Sequence, residues 1–308
     1  MTGGAGFIGS HLTTALADAG HYVRVFDSLA SAASQRRARV LERLPEVDIV
    51  EGDIRDPDLC RRVLTNADFV FHHAAEASVP QSVEDPATCI AVNLGGLVNL
   101  LEAARGGVKR FVFASSCAVY GNLPSAEKSE HSPVDPLSPY ASSKLAGEYL
   151  CRNYFHLHGL QTVCLRYFNV YGPNQDPNGA YAAVIPKFIT AILKTEKPTV
   201  YGDGEQSRDF VYVDDIVEAN LCAALAPPEA AAKSFNIGSG QNTSLNQILN
   251  KLAQLQDCAV ALDRQPARPG DIKTSRADIT AATKLLGFSP SVGLEDGLAR
   301  TLHWYQSG

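Results

Sequence analysis

Short apolar runs alternate with amphipathic stretches along the first half of the chain. Residues 22–26, 47–51, 68–73, 109–114 and 161–167 are compact apolar runs of strand length. Between them apolar residues recur at helical spacing. Ile8, Leu12, Leu16 and Ala19 share one stripe that Gly20 ends, and residues 93–104 form another. This alternation predicts an α/β fold, a parallel sheet with helices on both faces. Beyond residue 167 the pattern loosens. A loop over 174–186 feeds a helix at 187–194, residues 201–213 read as strand–turn–strand, and helices follow at 216–225, 245–255, 279–286 and 294–305. Asp214-Asp215, Ser244 and Asp278 precede such runs and read as helix caps. A smaller α/β C-terminal substrate lobe is therefore expected. The division is residues 1–168 plus about 209–238 for the first domain, and about 169–208 plus 239–308 for the second.

The first helix opens on Gly3, Gly6 and Gly9, with Phe7 and Ile8 between them. Glycines so spaced allow a tight turn and a close approach of backbone to a pyrophosphate, and the helix amides then face that anion. Asp27 ends the next apolar run, where a carboxylate holds an adenosine ribose and disfavours a 2′-phosphate. The pattern is that of a Rossmann-type doubly wound sheet, with NAD preferred over NADP. Ligand contacts are expected just past the strand ends: Asp53 and Ile54 at the adenine, Ala74 and Ala75 along the cofactor, and Asn93 as a cap or a cofactor contact. Only Met1 and Thr2 precede Gly3, so the strand that normally feeds such a loop is missing from this sequence. Either the start lies upstream or another segment fills the gap. An upstream start is favoured, and an intact mass beginning at Met1 would refute it.

Composition narrows the classes. A net charge of -6 with no basic run excludes a nucleic-acid groove, so an anionic substrate needs local arginines. Seven scattered cysteines without a CxxC pair read as reduced thiols in a cytoplasmic protein. No metal site is expected: His72 and His73 are strand neighbours that point to opposite faces. No apolar run reaches membrane-spanning length, and no signal peptide stands at the N-terminus.

The chemistry concentrates at Ser116, Tyr140 and Lys144. Tyr140 and Lys144 lie one helical turn apart, so both side chains can share a face. An ammonium beside a phenol favours phenolate, which can take a proton from an alcohol as a hydride leaves the same carbon. Pro139 suits the helix entrance just ahead of Tyr140.

Together with the glycine loop, the stretches Phe113-Ala-Ser-Ser-Cys-Ala-Val-Tyr-Gly121 and Ser138-Pro-Tyr-Ala-Ser-Ser-Lys144 resemble the extended short-chain dehydrogenase/reductase family, the nucleotide-sugar 4-epimerases above all. The resemblance implies Ser116, Tyr140 and Lys144 as the catalytic triad, with Tyr140, Lys144 and Tyr167 also on the cofactor. It implies Ser78, Ser116, Asn169, Arg208, Arg268, Asp271 and Ser275 as substrate-binding, with the two arginines on a nucleotide diphosphate. Planar guanidinium forks suit that role physically. Dehydratases of the family carry an Asp-Glu pair after the serine and the decarboxylases a glutamate, where this chain has Cys117-Ala118-Val119. That difference favours reversible oxidation at one carbon. A small residue at Ser275 is expected to admit an N-acetylated sugar. A UDP-hexose substrate and a homodimer through the helices near 93–104 and 140–156 complete what the resemblance implies. The competing readings are a lyase on the same scaffold and a non-catalytic NAD-binding protein.

Overall fold

The computed structural model describes residues 1–123, 125–177, 183–267 and 273–307. Arg268 and Asp271 lie outside the described residues. The expected strands form as β1 (Val23–Asp27), β2 (Val47–Glu51), β3 (Phe69–His72) and β4 (Arg110–Ser116), with Thr162–Tyr167 and Lys233–Ile237 continuing the sheet beyond β4. Every pairing among these strands is parallel. The centre of the sheet is almost continuously buried, as a parallel sheet covered on both faces requires.

Two residues stand where a first strand would feed the glycine loop. Thr2 bridges Phe26 on one side and His72 on the other, so Met1 and Thr2 occupy the gap between β1 and β3. Four backbone bonds fix them: Phe26 N–H to Met1 O at 2.7 Å, Thr2 N–H to Phe71 O at 3.0 Å, His73 N–H to Thr2 O at 3.1 Å and Gly3 N–H to Phe26 O at 2.9 Å. The Thr2 hydroxyl adds a 2.7 Å bond to His72 Nδ1. The glycine loop thus has a floor, but one only two residues deep.

The first helix runs Phe7–Asp18. Gly3 has φ +65°, and a Cβ there would sit 2.6 Å from the Ala74 nitrogen. Only glycine fits that combination of left-handed backbone and close approach. Asn93 does not open a helix. A nearly continuous helical run spans Pro86 to Ala104, with a π-turn over Ala91–Gly96, and Asn93 sits inside it. That run is long and apolar enough to cross a membrane by length and composition alone, contrary to the sequence expectation. Leu97, Leu100, Leu101 and Ala104 are fully buried against the sheet, which accounts for the apolar character by core packing.

The C-terminal lobe differs from expectation in detail. Thr199–Tyr201, Ser207–Arg208 and Phe210–Tyr212 do not pair with one another. Phe210–Tyr212 pairs with Asn169–Tyr171, Thr199–Tyr201 with Asp263–Gln265, and Ser207–Arg208 with both Thr243–Ser244 and Thr274–Ala277. The expected strand–turn–strand over 201–213 is not a paired unit, because each short strand reaches into a different sheet. Ser244 does cap its helix, in a capping box with Gln247, and Asp278 accepts from the Thr280 amide. Asp215 does not cap. Buried at 2% exposure, its carboxylate accepts from the Ser291 amide and hydroxyl and the Val292 amide, tying a distant segment down.

Candidate active site

The carboxyl ends of the strands open onto a cleft of about 600 Å³. Its walls include Gly3, Gly6, Phe7, Ile8, Gly9, Asp27, Asp53, Ile54, Ala74, Ala75, Tyr140, Lys144 and Tyr167. Residues spread through the sequence are therefore brought into one groove. Asp27 is set by backbone: it accepts from the Ala5 amide at 3.0 Å and the Leu29 amide at 3.0 Å, which locks the carboxylate at the loop's edge. Asp53 is paired with Arg55 at 2.6 Å, and that pairing holds its carboxyl below the usual range. Asn93 does not line the cleft. Its side-chain amide donates to Glu76 O at 3.1 Å and Ser143 Oγ at 2.9 Å, and its oxygen accepts from the Glu76 amide, so it braces the groove from behind.

The helix that carries Tyr140 and Lys144, Pro139–His158, begins where the sequence places it. Ser138 caps it through the Ala141 amide, with Pro139 in the first turn. Lys144 is buried at 4% exposure and donates to the Ala114 carbonyl at 2.8 Å, so the lysine is anchored to the end of β4. The ammonium lies 5.8 Å from the centre of the Tyr140 ring. Burial holds the Lys144 amine down to about 8. Burial pushes the Tyr140 phenol up to about 12, and the Ser116 hydroxyl pulls it the other way without prevailing. Desolvation of the phenol is the largest cause, and the expected lowering by Lys144 does not outweigh it.

Ser116 ends β4, its Oγ accepting from the Ala118 amide at 3.1 Å. One residue behind it, Ser115 donates to Glu148 at 2.6 Å, and Glu148 forms a buried pair with Arg166, with contacts of 2.8 and 2.7 Å. Arg166 also reaches Tyr120 at 2.8 Å, so Tyr120 belongs to a structural network. These bonds cross-link β4, the helix Pro139–His158 and the strand Thr162–Tyr167.

Two cleft residues were not assigned a cofactor role from the sequence. His73 is packed parallel to Tyr167, its Nε2 lies 2.9 Å from the Tyr167 hydroxyl, and Tyr167 in turn bonds Asn220. Burial drives the His73 pKa down to about 3, and its Nδ1 is buried without a partner. Arg37 donates to Ala5 O at 3.1 Å and Asn174 O at 2.7 Å, joining the glycine loop to the loop after residue 172. The histidine pair was the only sequence signal for the first, and nothing flagged the second.

On the far side, Asn169 donates to the Asp209 carbonyl at 3.1 Å. Arg208 and Ser275 are register partners on adjacent strands. Arg208 and Asp209 both act electrostatically on the Cys117 thiol, which places them near Ser116. Burial pushes that thiol up to about 12, and Ala118 and Val119 after it carry no ionisable group. Ser78 caps the short helix Val79–Glu84 through the Gln81 amide. Among the described residues, no group of three or more His, Cys, Asp and Glu side chains is arranged to hold a metal.

The glycine turn, Asp27 and the orphaned His73 nitrogen fit a dinucleotide, and a buried tyrosine–lysine pair stands where its reactive ring would end. Fold and site together define a nucleotide-dependent enzyme of the short-chain dehydrogenase type. More narrowly, residues 1–238 match the NAD dependent epimerase/dehydratase family, and the chain belongs to it. It is 38% identical over 310 residues to the UDP-glucose 4-epimerase of Mycolicibacterium smegmatis, covering 100% of this chain and 98% of that one. Among solved structures it resembles the UDP-N-acetylglucosamine 4-epimerase from Methanobrevibacter ruminantium M1 in complex with UDP-N-acetylmuramic acid. The TM-score is 0.94 at 38% identity, covering 99% of this chain and 97% of that chain. It is also 34% identical over 316 residues to the dTDP-glucose 4,6-dehydratase of Streptomyces niveus, covering 99% of this chain and 92% of that one. The chain is therefore an NAD-dependent enzyme of the epimerase class.

Proposed function

We propose that this chain interconverts the C4 epimers of a UDP-hexose, glucose/galactose and their N-acetylated forms, by transient oxidation to a 4-keto sugar. The observation that carries this reading is the convergence of Ser116, Tyr140 and Lys144 at the cleft end, with only neutral residues following Ser116. NAD⁺, when bound, supplies the hydride acceptor and a fixed positive charge beside the phenol. Gly3, Gly6 and the amides after them would hold its pyrophosphate, Asp27 its ribose, and Lys144 the ribose nearest the reactive ring.

Tyr140 takes the proton from the sugar 4-hydroxyl, and Ser116 hydrogen-bonds the same oxygen. Lys144, already anchored on Ala114 O, keeps a positive charge behind the phenol as the proton moves. The 4-keto sugar then turns about its anchored diphosphate, and Tyr140 returns the proton after the hydride reaches the other face. Arg208 and Arg268 hold the diphosphate, with Asn169, Ser78 and Asp271 on the rest of the nucleotide sugar. Arg208 lies within electrostatic range of Cys117, next to Ser116, which supports this role.

Ser275 sets the sugar range. It is 8% exposed and paired with Arg208, so a bulky side chain there would fill space beside the diphosphate arginine. Ser275→Tyr should abolish turnover of UDP-N-acetylglucosamine while sparing UDP-glucose, as read by product NMR. Equal loss on both sugars would contradict the gating role. A homodimer in the cytoplasm fits the same reading. Val83, Ile90, Tyr149 and Leu157 are exposed apolar residues on the helices around 79–90 and on the catalytic helix, where a second copy would cover them. Sedimentation equilibrium tests that arrangement, and a monomer at micromolar concentration would contradict it.

A further inference from the structure

Asp209 is the single residue between Ser207–Arg208 and Phe210–Tyr212, two strands that belong to different sheets. It is fully buried. Its backbone joins the two sheets. The Asp209 amide donates to the Ser275 carbonyl at 2.9 Å, and the Asp209 carbonyl accepts from the Asn169 backbone amide at 3.0 Å and side-chain amide at 3.1 Å. Asn169, Arg208 and Ser275 are therefore all bonded to Asp209, by hydrogen bond or by chain.

The carboxylate reaches a third sheet. A buried carboxylate needs donors, and this one has four. One oxygen accepts from the Ser239 amide and hydroxyl, both at 2.7 Å. The other accepts from the amides of Gly240 and Ala277, both at 3.0 Å. Burial pushes the Asp209 carboxyl up, and these bonds pull it the other way. Ser239 and Gly240 follow Lys233–Ile237, which lies in the same sheet as β4 and so as Ser116. Ala277 lies on the strand that carries Ser275. Gly238 makes room for the bridge, since a Cβ there would sit 2.8 Å from Asp209 Oδ2 and 2.8 Å from the Ala277 Cβ. Asp209 and Arg208 both act electrostatically on Cys117, so the bridge crosses beside Ser116.

We propose that Asp209 is a positioning residue for the substrate: its backbone fixes Asn169, Arg208 and Ser275 as one unit, and its carboxylate sets that unit's place relative to Ser116. The inference rests on the UDP-sugar reading of those three residues. It assigns Asp209 to the grip on the nucleotide diphosphate and not to the cofactor, because Asp209, Ser239, Gly240 and Ala277 are not among the residues that wall the cofactor cleft. Asp215 supplies the contrast. It is a second buried carboxylate of similar bonding, but it holds Ser291 and Val292 and touches none of the three.

The experiment titrates UDP into the NAD-loaded protein by calorimetry, for the wild type, Asp209→Asn, Ser239→Ala and Asp215→Asn. Asparagine keeps the shape of Asp209 but turns an NH₂ toward donors that need an acceptor. Asp209→Asn should weaken UDP binding by at least about 10-fold and Ser239→Ala by about 3-fold. Both should keep the wild-type NAD content, and Asp215→Asn should leave UDP affinity unchanged. In turnover of UDP-glucose the Asp209→Asn loss should fall on KM more than on kcat, as lost substrate binding does. Wild-type UDP affinity in Asp209→Asn would overturn the proposal. So would an equal loss in Asp215→Asn, or a loss of NAD in step with UDP, either of which marks general loosening of the fold. If Asp209→Asn does not fold, Ser239→Ala decides, and unchanged UDP affinity there overturns it. A wild-type protein that binds no UDP would instead remove the UDP-sugar reading, and this inference with it.

Discussion

Tyr140 and Lys144 are shifted in opposite directions by one cause, burial, which raises the phenol to about 12 and lowers the amine to about 8. A tyrosine so placed is idle as a base at neutral pH until another positive charge arrives. The phenol should therefore titrate at lower pH once NAD⁺ is bound, and ultraviolet difference titration with and without cofactor reads that directly. An unchanged titration would contradict the assignment. Tyr140→Phe should lower turnover by about 10²–10⁴ with cofactor retained, the loss expected for a general acid–base group. That Tyr140 and Lys144 come together was legible in the sequence because one helical turn fixes one against the other. The direction of the tyrosine shift was not legible. It depends on desolvation by segments distant in sequence, which no local motif records.

At the scale of elements, the site is held by the buried Glu148–Arg166 pair, which ties the helix Pro139–His158 to β4 through Ser115. Both side chains are only 7% exposed. Removing one partner strands a buried charge, so Arg166→Met should destabilise the protein by about 3–5 kcal/mol, measured by urea denaturation. A double variant, Glu148→Leu with Arg166→Met, should recover much of that loss, since the pair's desolvation cost disappears with it. The strands of the main sheet were readable because a fully buried parallel sheet leaves continuous apolar runs. The short strands of the C-terminal lobe were not. Ser207–Arg208 is two residues long, and its partners Thr243–Ser244 and Thr274–Ala277 lie far along the chain. No periodicity survives at that length. Asp215 misled for a related reason: an acid at a helix start looks like a cap until its distant partner, Ser291, is seen.

For the whole molecule, pH couples the cofactor groove to stability. His73 is held down to about 3 from an ordinary 6.5. Between those values the unfolded chain binds a proton that the folded one refuses, so stability should fall as pH drops from about 6.5 toward about 3. Lys144 acts at the other end: between about 8 and 10.5 the unfolded chain again holds more protons, and stability should rise as pH climbs through that window. His73→Gln should flatten the acid limb of a Tm–pH profile and leave the alkaline limb alone. A profile unchanged by that substitution would contradict the burial account of His73.

The reversible oxidation itself is tested most directly by incubating the holoenzyme with UDP-glucose in D₂O and following the products by NMR and mass spectrometry. The expected result is UDP-galactose of unchanged mass with no deuterium at C4, because the hydride leaves and returns within the closed site. Deuterium at C4, or a product lighter by water, would contradict it.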